Sequence, residues 1–252
     1  MIILKSKREI EGMKIAGAIL ASCHKELAKL IQPGISTWEI DEFVDRFLTE
    51  HGAISAQKGY KGYEYATCAS INDEICHGFP RKKSLNPGDI VTIDMVVNYN
   101  GSLADSAWSY AIGEVPKDVS KLLEVSKAAL YKGIEQSKIG NRIGDIGHAI
   151  QTFVEAEGFS VVRNFIGHGI GATIHEKPDV PHFGLPGKGV RIKEGMVFTI
   201  EPMVNMGSYH SKMDNNGWTA RTEDGKYSAQ YEHTIAITKD GPLILTDQDS
   251  AV

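Results

Sequence analysis

Apolar side chains recur every three or four positions over residues 7–31, at Ile10, Met13, Ala16, Leu20, Cys23, Leu27 and Leu30, until Gln32-Pro33-Gly34 breaks the pattern. That spacing predicts a first amphipathic helix with one buried face. Ser36-Thr37-Trp38-Glu39 is a capping-box sequence, in which the serine hydroxyl accepts from the Glu39 amide and the Glu39 carboxylate reaches back. Ile40, Phe43, Val44 and Phe47 follow on one face and predict a second helix. The same periodicity predicts helices at about 119–137 and 143–157, the first ending near Gly140 and the second at Gly158. Between and after these helix pairs, β-rich runs predict strands at Ile90–Tyr99, Ala104–Ile112, Val197–Val204 and Ala229–Thr238.

The pattern repeats. Gly88-Asp-Ile-Val-Thr-Ile-Asp94-Met-Val-Val-Asn98 aligns without gaps on Gly195-Met-Val-Phe-Thr-Ile-Glu201-Pro-Met-Val-Asn205, offset by 107 residues, with five of eleven positions identical. The helices before each run shift by nearly the same amount: Gly34, Ile40, Phe47 and Gly52 match Gly140, Ile146, Phe153 and Gly158 at 106. Helices and strands moving together imply two similar ααββ halves, roughly 5–113 and 119–240, in an α+β fold. No Pro/Ser-rich linker divides them, so residues 1–252 are expected to form one catalytic domain.

Composition narrows the function. With 42% hydrophobic and 23% charged residues the chain is neither disordered nor membrane-embedded. Its 27 basic and 32 acidic residues give a net charge of −5, which argues against nucleic acid as a substrate. Three cysteines, Cys23, Cys68 and Cys76, form no C-x-x-C pair and fit a reducing compartment. Charged residues from Lys5 onward leave no apolar core of signal-peptide length, and no later stretch spans a bilayer, so a cytoplasmic protein with no membrane partner is expected.

Two acids interrupt apolar strands at equivalent repeat positions, Asp94 in Thr-Ile-Asp-Met and Glu201 in Thr-Ile-Glu-Pro. A carboxylate buried without a partner is costly, so the pair calls for a metal, a base or a network of donors. Asp105 returns beside Asp94 through a hairpin at Asn100-Gly101, and Glu232 stands where it can play the same part in the second half. Four acids converging from four strands would repel unless cations sat among them, and two divalent ions would balance them. His168, in Gly167-His-Gly-Ile-Gly171, can add a nitrogen ligand. Such oxygen-dominated ligation favours Mn, Fe(II) or Co, with zinc also admissible. Other signatures fail: His175-Glu-Lys-Pro lacks the second histidine of a zincin, and Gly187-Lys188 lacks the spacing and hydroxyl of a P-loop. There is no G-x-S-x-G elbow.

Asp94, Asp105, His168, Glu201 and Glu232, with His77 in Cys-His-Gly-Phe-Pro and His175 in Ile-His-Glu-Lys-Pro, resemble the signature of the type I methionine aminopeptidases. The resemblance runs from the first helix to about Pro242 and is closest to the minimal bacterial form. It implies the pita-bread fold, with a central antiparallel sheet, and removal of the initiator methionine from nascent chains whose second residue is small. By the same resemblance Asp94 holds one metal, Asp105 and Glu232 bridge two, and His168 and Glu201 hold the second. A metal-activated hydroxide would attack the first peptide bond, with Glu201 as proton shuttle. His175 would donate to the carbonyl oxygen or oxyanion and His77 would bond the substrate backbone.

The methionine pocket implied by the resemblance is lined by Tyr60, Tyr63, Cys68, Ile174 and Trp218, aromatic rings suiting a polarisable thioether. Two positions depart from the family pattern: Ile174 stands where phenylalanine is frequent, and Gln57 where a small residue or cysteine is common. Asn72 and Ser228 match positions near a monovalent-cation site in relatives. The resemblance further implies a monomer whose partners are nascent-peptide N-termini, with transient docking at the ribosome. Two alternatives share the fold: a prolidase or Xaa-Pro aminopeptidase, which carries a large extra N-terminal domain, and a non-enzymatic binding module, which lacks the metal ligands.

Overall fold

The computed structural model describes residues 1–249. Four long helices form where the periodicity predicts them: α1 (Lys7–Leu30), α2 (Thr37–Glu50), α3 (Lys117–Gln136) and α4 (Ile143–Ala156). The Ser36–Glu39 capping box closes as read, with Glu39 N donating to Ser36 Oγ at 3.2 Å and Ser36 N donating to Glu39 Oε2 at 2.9 Å. A second box, Ser6 with Glu9, opens α1. At the corresponding point of α4 the N-cap is Arg142, which has no acceptor on its side chain, so Val190 O (2.9 Å) and Lys188 O (3.0 Å) accept from the first amides, Ile143 N and Gly144 N, and the Asp145 carboxylate accepts from Arg142 N.

Strand Ile90–Tyr99 runs antiparallel to Ser102–Ala111, and Ile54–Ser55 and Cys68–Ile71 also pair with it. The turn is Asn100-Gly101, both at positive φ (50° and 83°), the conformation whose twist suits a two-residue hairpin. It places the second strand's start at Ser102, two residues earlier than the periodicity suggests. The second half holds a sheet in the order Gly241–Ile244, His233–Thr238, Val197–Ile200, Gly167–Gly169, Glu176–Val180.

Two expected strands are each broken in two. Val197–Val204 becomes Val197–Ile200 and Met203–Asn205, and Ala229–Thr238 becomes Ser228–Gln230 and His233–Thr238. The first break falls at Glu201-Pro202, where proline removes a ladder donor. The second falls at Tyr231-Glu232, where Glu232 N turns to Ala107 O on the other half's hairpin, 2.8 Å away.

Helices cover one side of each half. Leu20 and Leu27 of α1 and Ile40 and Val44 of α2 bury against Val91, Ile93 and Met95 of the hairpin. Leu122 and Leu130 of α3 and Ile146 and Ile150 of α4 bury against Phe198, Ile200 and Ile235. The halves meet along Ser102–Ala111, where hydroxyl side chains extend the ladder: Thr234 Oγ1 donates to Asp105 O (2.8 Å) and accepts from Asp105 N (2.9 Å), and Ser106 Oγ donates to Glu232 O (2.9 Å). The acids therefore stand at this seam.

Candidate metal centre and substrate pocket

Asp94 lies mid-strand opposite Ala107, and Asp105 opposite Val96 on the neighbouring strand, so the pleat turns both acids to one side of the hairpin. Glu201 and Glu232 reach the same cavity from the two strand breaks. His168 comes from the short strand Gly167–Gly169. Ligand atoms of Asp105, His168 and Glu232 all lie within 4.8 Å of one another. His168 Nε2 is 3.7 Å from Asp105 Oδ2 and 3.6 Å from Glu201 Oε1. Its other ring nitrogen, Nδ1, is 3.0 Å from Gly169 O, a bond that puts the proton on Nδ1 and leaves the Nε2 lone pair facing the acids.

The electrostatics are those of an uncompensated cluster. Burial pushes Asp94 up to about 7 and Glu201 up to about 8, the latter opposed by the Thr199 hydroxyl bond and reinforced by Asp94. Asp105 and Glu232 are driven well above the usual carboxylate range by burial and then by the neighbouring acids. His168 is held down near 4 by burial and by His175, so it stays neutral and able to ligate. Asp105 Oδ1 and Glu232 Oε1 are buried with no hydrogen-bond partner. Buried acceptors left without donors, beside a neutral imidazole, are the donor set a divalent cation requires, so the residues present fit a metal.

A cavity of about 320 Å³ opens from the acids and is lined by Tyr60, Tyr63, Cys68, His77, Ile174, His175 and Trp218. Every side chain that the sequence points to for divalent metal, substrate or catalysis borders it, whereas Asn72 and Ser228 do not. Tyr63 sits edge-on to Trp218 with ring centroids 5.0 Å apart and is fixed by bonds to Thr67 O and Gly78 O. His77 adopts φ +56°, a left-handed backbone rare for a residue with a Cβ. Burial lowers its ring to about 4, keeping it neutral. His175 Nδ1 is 3.0 Å from the Tyr60 hydroxyl. Gln57 is buried in the wall, accepting from Val96 N at 2.8 Å.

Thr199, His182 and Phe165 join the site without belonging to any catalytic motif in the sequence. Thr199 Oγ1 donates to Glu201 Oε1 at 2.7 Å and accepts from His168 N at 3.0 Å, holding two candidate ligands at once. His182 Nε2 accepts from Glu201 N at 3.1 Å, replacing the ladder partner lost at the break. Phe165 meets the His77 ring edge-on at 5.7 Å. Thr199 had a signal: the threonine recurs two residues before the acid in both repeats, at Thr92 and Thr199.

Comparison with known proteins agrees with this geometry. Residues 11–239 match metallopeptidase family M24. Methionine aminopeptidase 1 of Bacillus subtilis is 51% identical over 246 residues, covering 98% of this chain and 99% of the relative. A crystal structure of methionine aminopeptidase from Rickettsia prowazekii superposes with TM-score 0.96 at 40% identity, covering 98% of this chain and 100% of that one. A prolidase from Pyrococcus horikoshii shares the fold alone, at TM-score 0.78 and 24% identity, and this chain covers 64% of its length. The chain belongs to metallopeptidase family M24, in its methionine aminopeptidase branch, and has the pita-bread fold. Divalent metal ions are the cofactors that membership implies. Among the described residues no helix is long and apolar enough to cross a membrane.

Proposed function

We propose that this chain hydrolyses the peptide bond after an N-terminal methionine, acting on nascent chains whose second residue is small. The observation that carries the proposal is the group of buried, partnerless carboxylate oxygens beside a neutral His168, at one end of a cavity walled by aromatic rings. Asp94, Asp105, His168, Glu201 and Glu232 would hold two divalent ions, with Mn, Fe(II) or Co favoured by the oxygen-rich set and zinc admissible. Such ions supply charge neutralisation and activation of water near neutral pH.

The chain's own groups do the rest. Glu201, which borders the cavity, takes the proton of the attacking water and passes it to the leaving amine. When the Tyr60 hydroxyl donates to His175 Nδ1, the ring proton sits on Nε2, where it donates to the carbonyl oxygen as charge develops. His77 bonds the substrate backbone. Tyr60, Tyr63, Cys68, Ile174 and Trp218 hold the methionine side chain, and the buried acids attract the α-amine, which restricts cleavage to the chain end. The two halves act as one catalytic unit because each contributes acids to the same cavity. A monovalent cation near Asn72 and Ser228, action as a monomer, a cytoplasmic location and transient docking at the ribosome complete the proposal.

The test is to strip the protein with chelator, reload it with Mn(II) or Co(II), and compare hydrolysis of Met-Ala-Ser, Met-Leu-Ser and Ala-Pro-Ser. Metal-dependent cleavage of Met-Ala-Ser alone, lost in Glu201→Ala, is expected. Faster cleavage of Ala-Pro-Ser would favour a prolidase, and no cleavage with metal bound would favour a binding module.

A further inference from the structure

The segment before α1 reaches across the molecule to the loop that carries His175. Lys5 Nζ bonds Glu176 Oε2 at 2.5 Å, across 171 residues of sequence, and the two side chains are only 4% and 9% exposed. The other oxygen of Glu176 accepts from Ala172 N at 2.8 Å and Thr173 N at 3.3 Å, so one carboxylate gathers the loop and the lysine locks it. Residues 170–175 form no helix or strand. Apart from this carboxylate, Gly171 N to Thr173 O and Thr173 Oγ1 to His175 O, both at 3.2 Å, draw that loop together.

Lys5 is itself fixed at both ends. Its backbone N–H donates to Gly195 O at 2.7 Å, and the next residue, Ser6, is the N-cap of α1. Gly171 adds an independent sign of close fit: a Cβ there would collide with Lys5 Cε and Nζ and with Glu176 Oε1. The chain thus uses a glycine to admit the lysine. Immediately beyond the locked turn come Ile174, in the pocket wall, and His175, whose ring lies 4.2 Å from that of His168 by centroids.

We propose that Lys5 is a positioning residue for His175: through Glu176 it holds the loop Ile170–His175 so that the imidazole faces the scissile bond. A buried ion pair is stiff because breaking it strands a charge out of water, and it anchors the backbone of a loop of bends whose ring is otherwise steadied by the Tyr60 hydroxyl. The inference rests on the reading of His175 as the donor to the substrate carbonyl, and the test separates the two.

Lys5→Met, Lys5→Arg and Glu176→Gln are made in wild type and in His175→Asn, with Glu176→Gln keeping an oxygen for the Ala172 and Thr173 amides should Lys5→Met fold poorly. In wild type, Lys5→Met and Glu176→Gln should each lower kcat on Met-Ala-Ser about tenfold or more, as for loss of a residue that orients a functional group. Lys5→Arg should restore most of the rate. In His175→Asn the further kcat loss should vanish, since the residue being positioned is gone. The same fractional loss in both backgrounds, or none in wild type, would overturn the proposal. Nitrogen-15 spectra of histidine-labelled protein give a reading independent of turnover. Lys5→Met should move or broaden the His175 ring signals and leave those of His24 and His51 in place, and unmoved His175 signals would overturn the proposal. Full activity of His175→Asn alone would instead refute the catalytic role of His175, with the spectra still deciding the role of Lys5.

Discussion

The two halves bring acids to one cavity by different local means. Asp94 and Asp105 stand inside ten-residue strands whose ladder is unbroken from Ile90 to Tyr99 and from Ser102 to Ala111. Glu201 and Glu232 stand where strands stop, with backbone amides served by His182 Nε2 and Ala107 O instead of a ladder neighbour. In the first half the pleat fixes where a carboxylate points. In the second half individual side chains must do so, and Thr199 is the clearest case because it grips both Glu201 and His168. The difference teaches that a duplicated scaffold can keep its symmetry in helices and strands while its second copy buys ligand geometry with polar contacts.

The severest way to break the comparison is to remove an acid from either half. Asp105→Ala and Glu201→Ala should each lower kcat/KM on Met-Ala-Ser by about a thousandfold or more, since the proposed reaction uses both to hold metal or move a proton. A loss confined to one half, measured in metal-saturated steady-state assays, would mean that the other half's acids are not part of the site.

The threonine pair sharpens it. Thr199→Val should cost about 10- to 100-fold in activity or metal affinity, as expected when a group orienting ligands is lost, whereas Thr92→Val should cost less than about threefold. Thr92 bonds Ser109 Oγ at 2.7 Å on a strand already held by its ladder. Equal losses in titrations with Mn(II) would erase the distinction between the two halves.

Protonation of Glu201 gives a third, smaller effect. With no cation, the folded protein raises this carboxyl from 4.5 to about 8, so the native state binds the proton more tightly than the unfolded chain. The stabilising contribution is present below the unfolded value and is lost as pH rises through the folded one. Metal-free wild type should therefore match Glu201→Gln near pH 4.5 and melt progressively below it toward pH 8, by scanning calorimetry in chelator. A difference that narrows as pH rises would contradict the burial of this acid.

The smallest contrast lies in the matched helices. Ser36→Ala should cost about 1 kcal/mol by urea unfolding with unchanged kcat/KM, because it removes a side-chain cap far from the chemistry. Arg142→Ala at the equivalent start of α4 should cost less, since its side chain caps no amide.

What could be read from the sequence follows the range of the forces involved. Helix α2 was legible because its cap lies within four residues and its apolar face repeats, and the Asn100-Gly101 turn because that dipeptide tolerates positive φ. The pairing of Asp94 with Glu201 was legible through the repeat, and the recurrence of threonine before each acid could have exposed Thr199. Pro202 also marked a strand break that apolar periodicity hid. The break at Glu232 was not legible, because its cause is a hydrogen bond to Ala107, 125 residues away. Lys5 with Glu176, and His182 behind Glu201, were invisible for the same reason: nothing local marks a contact made only when distant segments pack.

The central claim is that the acids of both halves, with His168, form one metal centre. Anomalous diffraction from crystals loaded with Mn(II), recorded above and below the manganese edge, tests it most directly. The account predicts two adjacent manganese peaks enclosed by Asp94, Asp105, His168, Glu201 and Glu232. Peaks held by the acids of one half alone, or manganese bound elsewhere with the five side chains left apart, would contradict it.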